Sequence, residues 1–191
     1  AWILIHTFYR VDKEGLERIP AEGACAIVCN HVSFVDAVVI AACVPRPIRF
    51  VMDHRIFAIP LMNFIFRTMR AIPIASEKED PTMKARAFEE AAAALKAGEI
   101  LCIFPEGRIT DDGELGRFRP GLQRILQDAP VPVVPMALRG LWGSFFSRAG
   151  GKAMRRWRGM FSRIALVAAP PVPPEEVTLD GLQATVLALR G

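Results

Sequence analysis

Short apolar runs alternate with amphipathic segments along this chain. Residues 24–29 read ACAIVC, a continuous apolar run that fits a strand buried on both faces. Residues 48–52 (IRFVM), 99–104 (EILCIF), the Pro-punctuated 131–138 and 164–168 read as further strands. Residues 71–75 (AIPIA) form a shorter run, whose Pro73 favours a sheet edge or a bulge. The clearest helix opens at Pro81-Thr82. Its Phe88, Ala91, Ala92 and Leu95 share one face, and Gly98 supplies the stop. Ser33 and Asp36 read as a capping box that starts a helix running through 37–44 to Pro45. Residues 60–69 fit a helix or an apolar, membrane-facing loop, and 121–127 a short helix. Residues 2–11 fit a short amphipathic helix leading into a polar turn over 12–23. A Pro-rich linker at 170–176 leads to a closing helix over 177–189, with Leu179, Leu182, Val186 and Leu189 on one face.

Strands alternating with helices predict an α/β fold with a central mixed, largely parallel sheet flanked by helices. There is no internal repeat, so one domain is expected over residues 1–191. One topological consequence matters. His31 and Glu106-Gly107-Arg108 each follow a predicted strand directly. In a parallel sheet the carboxyl ends of the strands share one edge, where ligands bind. The two segments are therefore expected to converge.

Composition narrows the picture. The 191 residues are 52% hydrophobic and 23% charged, which excludes a disordered chain. A mean hydropathy of +0.27 calls for an apolar surface that meets something. The net charge is +4 and mostly arginine, which suits a membrane surface, an acidic protein or a phosphorylated substrate. Cys25, Cys29, Cys43 and Cys102 all sit in apolar runs and read as buried free thiols in a reducing compartment, not as a metal site. The longest apolar stretch, 56–66, contains Pro60 and Asn63 and falls far short of the ~20 residues of a membrane span. No signal peptide is read at the start.

Two segments carry candidate chemistry. Asn30-His31-Val32-Ser33-Phe34-Val35-Asp36 is an NHxxxxD pattern. Histidine titrates near neutral pH and suits a general base at a strand mouth. A carboxylate on its far nitrogen fixes the tautomer and stabilises the imidazolium, a task open to Asp36. Helix capping explains Ser33 and Asp36 equally well. In Phe104-Pro105-Glu106-Gly107-Arg108, the arginine offers a planar fork to phosphate or carboxylate and the glycine admits close backbone approach. A strand-ending turn with a surface ion pair is the plain alternative. A third feature is the acid-free stretch 129–174. There Arg139, Arg148, Lys152, Arg155, Arg156, Arg158 and Arg163 interleave with Trp142, Phe145, Phe146, Met154, Trp157, Met160 and Phe161. Basic residues among aromatics suit an anionic membrane surface or an acidic carrier protein. No recognition motif supports nucleic acid.

Taken together, NHxxxxD followed by FPEGR resembles the glycerolipid acyltransferase family, of the lysophosphatidic acid acyltransferase type. Ala71-Ile72-Pro73-Ile74 and Val131-Pro132-Val133-Val134-Pro135 look like its second and fourth motifs. FPEGRIT, with Gly113 and Leu115 beyond it, is most similar to the acyltransferase domain of bifunctional acyl-acyl-carrier-protein synthetase/2-acylglycerophosphoethanolamine acyltransferases. A start at Ala1 then fits a domain excised from a larger multidomain membrane protein. The resemblance implies transfer of an acyl chain from acyl-ACP (acyl carrier protein) or acyl-CoA to the free hydroxyl of a lysophospholipid in phospholipid synthesis or remodelling. The acceptor would be lysophosphatidic acid or lysophosphatidylethanolamine. It implies His31 as base, Asp36 as its orienter, and Glu106, Gly107 and Arg108 at the acceptor phosphate. Trp142, Phe145, Phe146, Arg155, Arg156, Trp157 and Arg158 would dock a membrane or carrier. No bound cofactor or metal is expected. The expected location is the cytoplasmic face of the inner membrane, peripheral or within an integral protein. Two positions depart from the pattern. Ala75 and Ser76 stand where the second motif often ends in arginine, and Arg108 stands where the third usually has threonine. The missing arginine leaves room for an acceptor with a head group. The alternatives are a thioester hydrolase using the same pair, a metal-dependent phosphohydrolase recruiting Asp53 and His54, and a membrane-docking module without catalysis.

Overall fold

The computed structural model describes residues 9–149 and 163–191. Seven strands form one sheet: β1 (Arg10–Glu14), β2 (Cys25–Cys29), β3 (Ile48–Asp53), β4 (Ile72–Ile74), β5 (Ile100–Ile103), β6 (Val133–Arg139) and β7 (Arg163–Ala168). Their order is β1-β7-β6-β2-β5-β3-β4. Every pairing is parallel except β6 with β7. Five α-helices cover it: α1 (Asp36–Cys43), α2 (Pro60–Thr68), α3 (Pro81–Lys96), α4 (Gly121–Asp128) and α5 (Leu179–Arg190). The mixed, mostly parallel sheet and its flanking helices are those expected.

The apolar runs are central strands because both of their faces are covered. On β2, Cys25, Ile27 and Cys29 join the core under α1, while Ala26 and Val28 face Leu122, Leu182 and Val186 of α4 and α5. On β5, Ile100 and Cys102 take the first face and Leu101 the other, against Ala91 and Leu95 of α3. The four cysteines are free and buried, and burial pushes the Cys25 thiol up to about 11. α3 begins at Pro81 as read, and the structure adds its cap: Asp80 accepts the Met83 N–H at 2.8 Å. Pro73 lies on β4, at the sheet edge, where a missing N–H costs nothing.

Three expectations are corrected. Residues 10–14 are an edge strand, not the end of a helix or a turn; β1 is polar because it pairs only with β7 and is largely exposed. α1 starts at Asp36, not Ser33. Asp36 does reach back to the Ser33 N–H, but the Ser33 hydroxyl takes the N–H of Val35 instead of capping the helix. The 170–176 segment is no free linker. Val172 exchanges two backbone hydrogen bonds with Val133 (2.7 and 2.9 Å), and a 3₁₀ turn, Pro174–Glu176, follows. The predicted N-terminal helix over 2–8, and Arg155, Arg156, Trp157 and Arg158, lie outside the described residues. Among the described residues no helix is long and apolar enough to cross a membrane.

Candidate active site

β2 and β5 are parallel neighbours, so the chain leaves both at the same sheet edge. His31 and Glu106, 75 residues apart, meet there. The His31 N–H donates to Glu106 Oε1 at 2.7 Å. The His31 carbonyl accepts from the Thr110 N–H at 2.9 Å. Both polar groups of the His31 backbone are thus held by the segment after β5. Asn30 fixes the other side. Its amide donates to the Leu138 carbonyl at 3.0 Å, and its carbonyl accepts the Leu138 N–H at 2.8 Å. This fully buried side chain continues the β2–β6 ladder by one rung beyond the strand.

The imidazole is equally constrained. Nδ1 lies 2.9 Å from Asp36 Oδ2, and the ring stacks on Phe104 at 4.1 Å between centroids and 15° between planes. Asp36 is completely buried. Its Oδ2 also accepts from the N–H groups of Val32 (2.7 Å) and Ser33 (2.9 Å). These backbone donors offset the cost of burying the carboxylate. A carboxylate beside Nδ1 selects the tautomer with its proton there, leaving the Nε2 lone pair as the acceptor. The histidine side chain is 18% exposed, so the dyad is reachable from solvent.

Glu106 is 4% exposed, and both its oxygens are engaged: Oε1 by His31, Oε2 by the N–H of Gly116 at 2.6 Å. Burial pushes its carboxyl above the ordinary value, opposed by those two N–H groups. It ties the histidine loop to the loop carrying residues 107–116. Gly107 has φ +67°, the left-handed region that glycine enters freely. A Cβ there would lie 3.1 Å from Cδ, Nε and Cζ of Arg119. Arg108 points to solvent, 67% exposed, 3.7 Å from Asp111.

One cleft is lined by Glu106, Arg108, Gly116, Arg117, Phe118, Arg119, Leu179 and Asp180. Arg117 and Arg119 are residues the sequence reading passed over. The signal was the R-F-R alternation at 117–119, which puts one apolar side chain inward and two cations outward.

Of the proposed docking residues, Trp142 is half-buried against the core, its indole packed on Gly113. Phe145 and Phe146 are half-buried and meet edge to face at 5.0 Å. Phe34, within the NHxxxxD segment, is exposed beside them. Its N–H donates to the Phe146 carbonyl, and the Arg148 guanidinium lies 5.7 Å from its ring centroid. Asp53 and His54 pair at 3.6 Å, and His54 lies 3.6 Å from Glu79. Among the described residues no group of three or more histidine, cysteine or acidic side chains is arranged to hold a metal ion.

Comparison with known proteins agrees with this geometry. A family model described as Acyltransferase matches residues 10–139. A chloroplastic 1-acyl-sn-glycerol-3-phosphate acyltransferase of Brassica napus is 33% identical over 141 residues, covering 73% of this chain and 40% of that protein. The 1-acyl-sn-glycerol-3-phosphate acyltransferase of Pseudomonas aeruginosa is 26% identical over 167 residues, 87% of this chain and 60% of that one. The crystal structure of the 1-acyl-sn-glycerophosphate acyltransferase PlsC of Thermotoga maritima superposes with a TM-score of 0.75 at 26% identity, over 96% of this chain and 70% of that one. The chain thus spans 40% and 60% of the length of these two curated relatives. The closer likeness to the bifunctional enzymes rests on FPEGRIT and the residues just beyond it alone. With the matched region running from β1 to the end of β6 and holding both the His31–Asp36 pair and Glu106, the chain belongs to the acyltransferase family.

Proposed function

We propose that this chain transfers an acyl group from a thioester, acyl-CoA or acyl-ACP, to the free hydroxyl of a lysophospholipid of the 1-acylglycerol-3-phosphate type. The observation that carries the reading is the His31–Asp36 contact: a solvent-accessible imidazole whose Nδ1 is 2.9 Å from a carboxylate that is itself buried and twice hydrogen-bonded to backbone. Nε2 takes the acceptor hydroxyl proton as the oxygen attacks the thioester carbonyl. The tetrahedral intermediate collapses and expels the thiolate, which recovers the proton from the imidazolium and leaves as the thiol. Asp36 stabilises the imidazolium in between. The acceptor hydroxyl is the nucleophile, so no acyl-enzyme forms. Glu106 and Asn30 act by positioning His31, and the cationic cleft beside Glu106 suits the acceptor phosphate. Lysophosphatidylethanolamine is the second acceptor to assay.

The aromatic and basic patch of Phe34, Phe146 and Arg148 beside the dyad suits peripheral binding to an anionic membrane, the source of the acceptor. The location proposed is therefore the cytoplasmic membrane face. The test is product formation from a labelled acyl thioester with a panel of lysophospholipids on anionic liposomes, comparing the chain with His31→Ala. Diacyl lipid formed by the first and not the second supports the reading. Free fatty acid without acceptor makes the site a thioester hydrolase. Liposome binding without turnover makes the chain a docking module.

A further inference from the structure

We propose that Arg119, assisted by Arg117, is the principal grip on the acceptor phosphate, and that Arg108 is secondary. The inference rests on the acyltransferase reading and assigns residues that the FPEGR segment does not contain.

Arg108 is poorly placed for this task. It is 67% exposed and stands 3.7 Å from Asp111, whose charge partly offsets its own. Arg117 and Arg119 form no ion pair with any described carboxylate. They are exposed and line the cleft that contains Glu106, while Phe118 between them is buried. The strand-like alternation therefore sends both cations to one side.

The segment that carries them is rigidly tied to the catalytic loops. The Gly116 N–H donates to Glu106 Oε2 at 2.6 Å. The Phe118 N–H donates to Gln183 Oε1 of α5 at 3.0 Å. The Arg119 N–H donates to the Pro105 carbonyl at 2.9 Å. The Arg119 side chain then packs over Gly107, its Cδ, Nε and Cζ 3.1 Å from where a Cβ would stand. Gly107 follows Glu106, whose other oxygen holds the His31 N–H. The Arg119 backbone is thus tied to the FPEGR loop, and through Glu106 to His31, by backbone hydrogen bonds. The head of α4 at Pro120-Gly121 and that of α5 at Leu179 border the same cleft and add their positive ends. A phosphate seated there is held by planar guanidinium forks, and the lysolipid hydroxyl is directed at Nε2.

The test compares Arg119→Ala, Arg119→Lys, Arg117→Ala and Arg108→Ala, with Arg124→Ala on the outer face of α4 as control. Two readouts are used: transfer to a lysophosphatidic acid series, and calorimetric titration of the chain with glycerol 3-phosphate and with inorganic phosphate, which needs no turnover. Arg119→Ala is expected to raise the acceptor KM roughly 10- to 100-fold, the loss typical of a charge-assisted contact, with the donor KM unchanged. Arg119→Lys recovers part of the loss, and transfer to an uncharged monoacylglycerol is unaffected. Glycerol 3-phosphate binding weakens in parallel, and more than inorganic phosphate binding if the lipid head group is the true ligand. Equal weakening of both identifies a general phosphate site, still held by Arg119. The proposal is overturned if Arg108→Ala raises the acceptor KM and Arg119→Ala does not, or if neither ligand binding nor acceptor KM responds to Arg119. Absence of diacyl product from the unmutated chain, with phosphate binding still lost in Arg119→Ala, removes the acyltransferase reading and leaves the anion site standing.

Discussion

The backbone N–H of His31 donates to the carboxylate of Glu106 at 2.7 Å across 75 residues of sequence. A buried acid thus sets the position of the base without touching its ring. Its second oxygen holds Gly116, so the histidine loop, the FPEGR loop and the arginine-bearing segment are tied together. Catalytic geometry here depends on backbone hydrogen bonds to a side chain, which a carboxylate satisfies in pairs.

Replacing either member of the dyad should abolish most transfer while leaving the fold intact. His31→Ala removes the base and is expected to lower the rate roughly 100- to 10,000-fold. Asp36→Asn keeps an oxygen for the Val32 and Ser33 N–H groups but no longer stabilises the imidazolium, so a loss of similar size follows. Steady-state rates with circular dichroism as a fold control decide it. Wild-type rates in Asp36→Asn would refute the orienting role.

Glu106 gives stability a pH dependence of definite sign. Burial raises its carboxyl above the ordinary value of 4.5. Within the window between the unfolded and the raised folded value, the native state binds more protons. Stability contributed by this group is therefore full below the window and falls as pH rises through it. Glu106→Gln removes that slope and also turns an amide N–H₂ toward one of two backbone donors. Urea midpoints at mildly acidic and at neutral pH should differ less in Glu106→Gln than in the unmutated chain. Equal slopes would show that another group is responsible.

Asn30 is a structural part of the motif that carries the base. Asn30→Ala leaves the N–H and C=O of Leu138 buried without partners, at a cost of about 1–3 kcal/mol. It also frees the residue before His31. Both a lower urea midpoint and a lower kcat are expected. A stability loss without any change in kcat would show that Glu106 and Thr110 suffice to hold the histidine.

Gly107→Ala tests the close approach of Arg119. The φ of +67° disfavours any side chain, and the added methyl meets the arginine stem at 3.1 Å. The acceptor KM should rise more than the donor KM, because the displaced group serves the acceptor. A change confined to the donor would place Arg119 on the thioester side.

Much of this was readable along the chain. Central strands declare themselves because a strand covered on both faces is apolar at every position, as 24–29 and 100–104 are. Helix α3 shows its opening proline, face and stop for equally local reasons. The order of β2 and β5 as parallel strands already implied that His31 and residues 106–108 share an edge. What local pattern does not encode is which partners tertiary contact supplies. β1 is polar because it is an edge strand, and only its pairing with β7 makes it a strand at all. Asp36 was readable both as a helix cap and as the partner of His31, and the contact of its Oδ2 with the ring decides between them, while Asn30 had no role until β6 came alongside. Arg119 packs over Gly107, where the absence of a side chain admits its close approach. Periodicity and propensity act over neighbouring residues and so fix the elements. Hydrogen bonds between loops of distant elements fix the site, and these exist only once the sheet has ordered its strands.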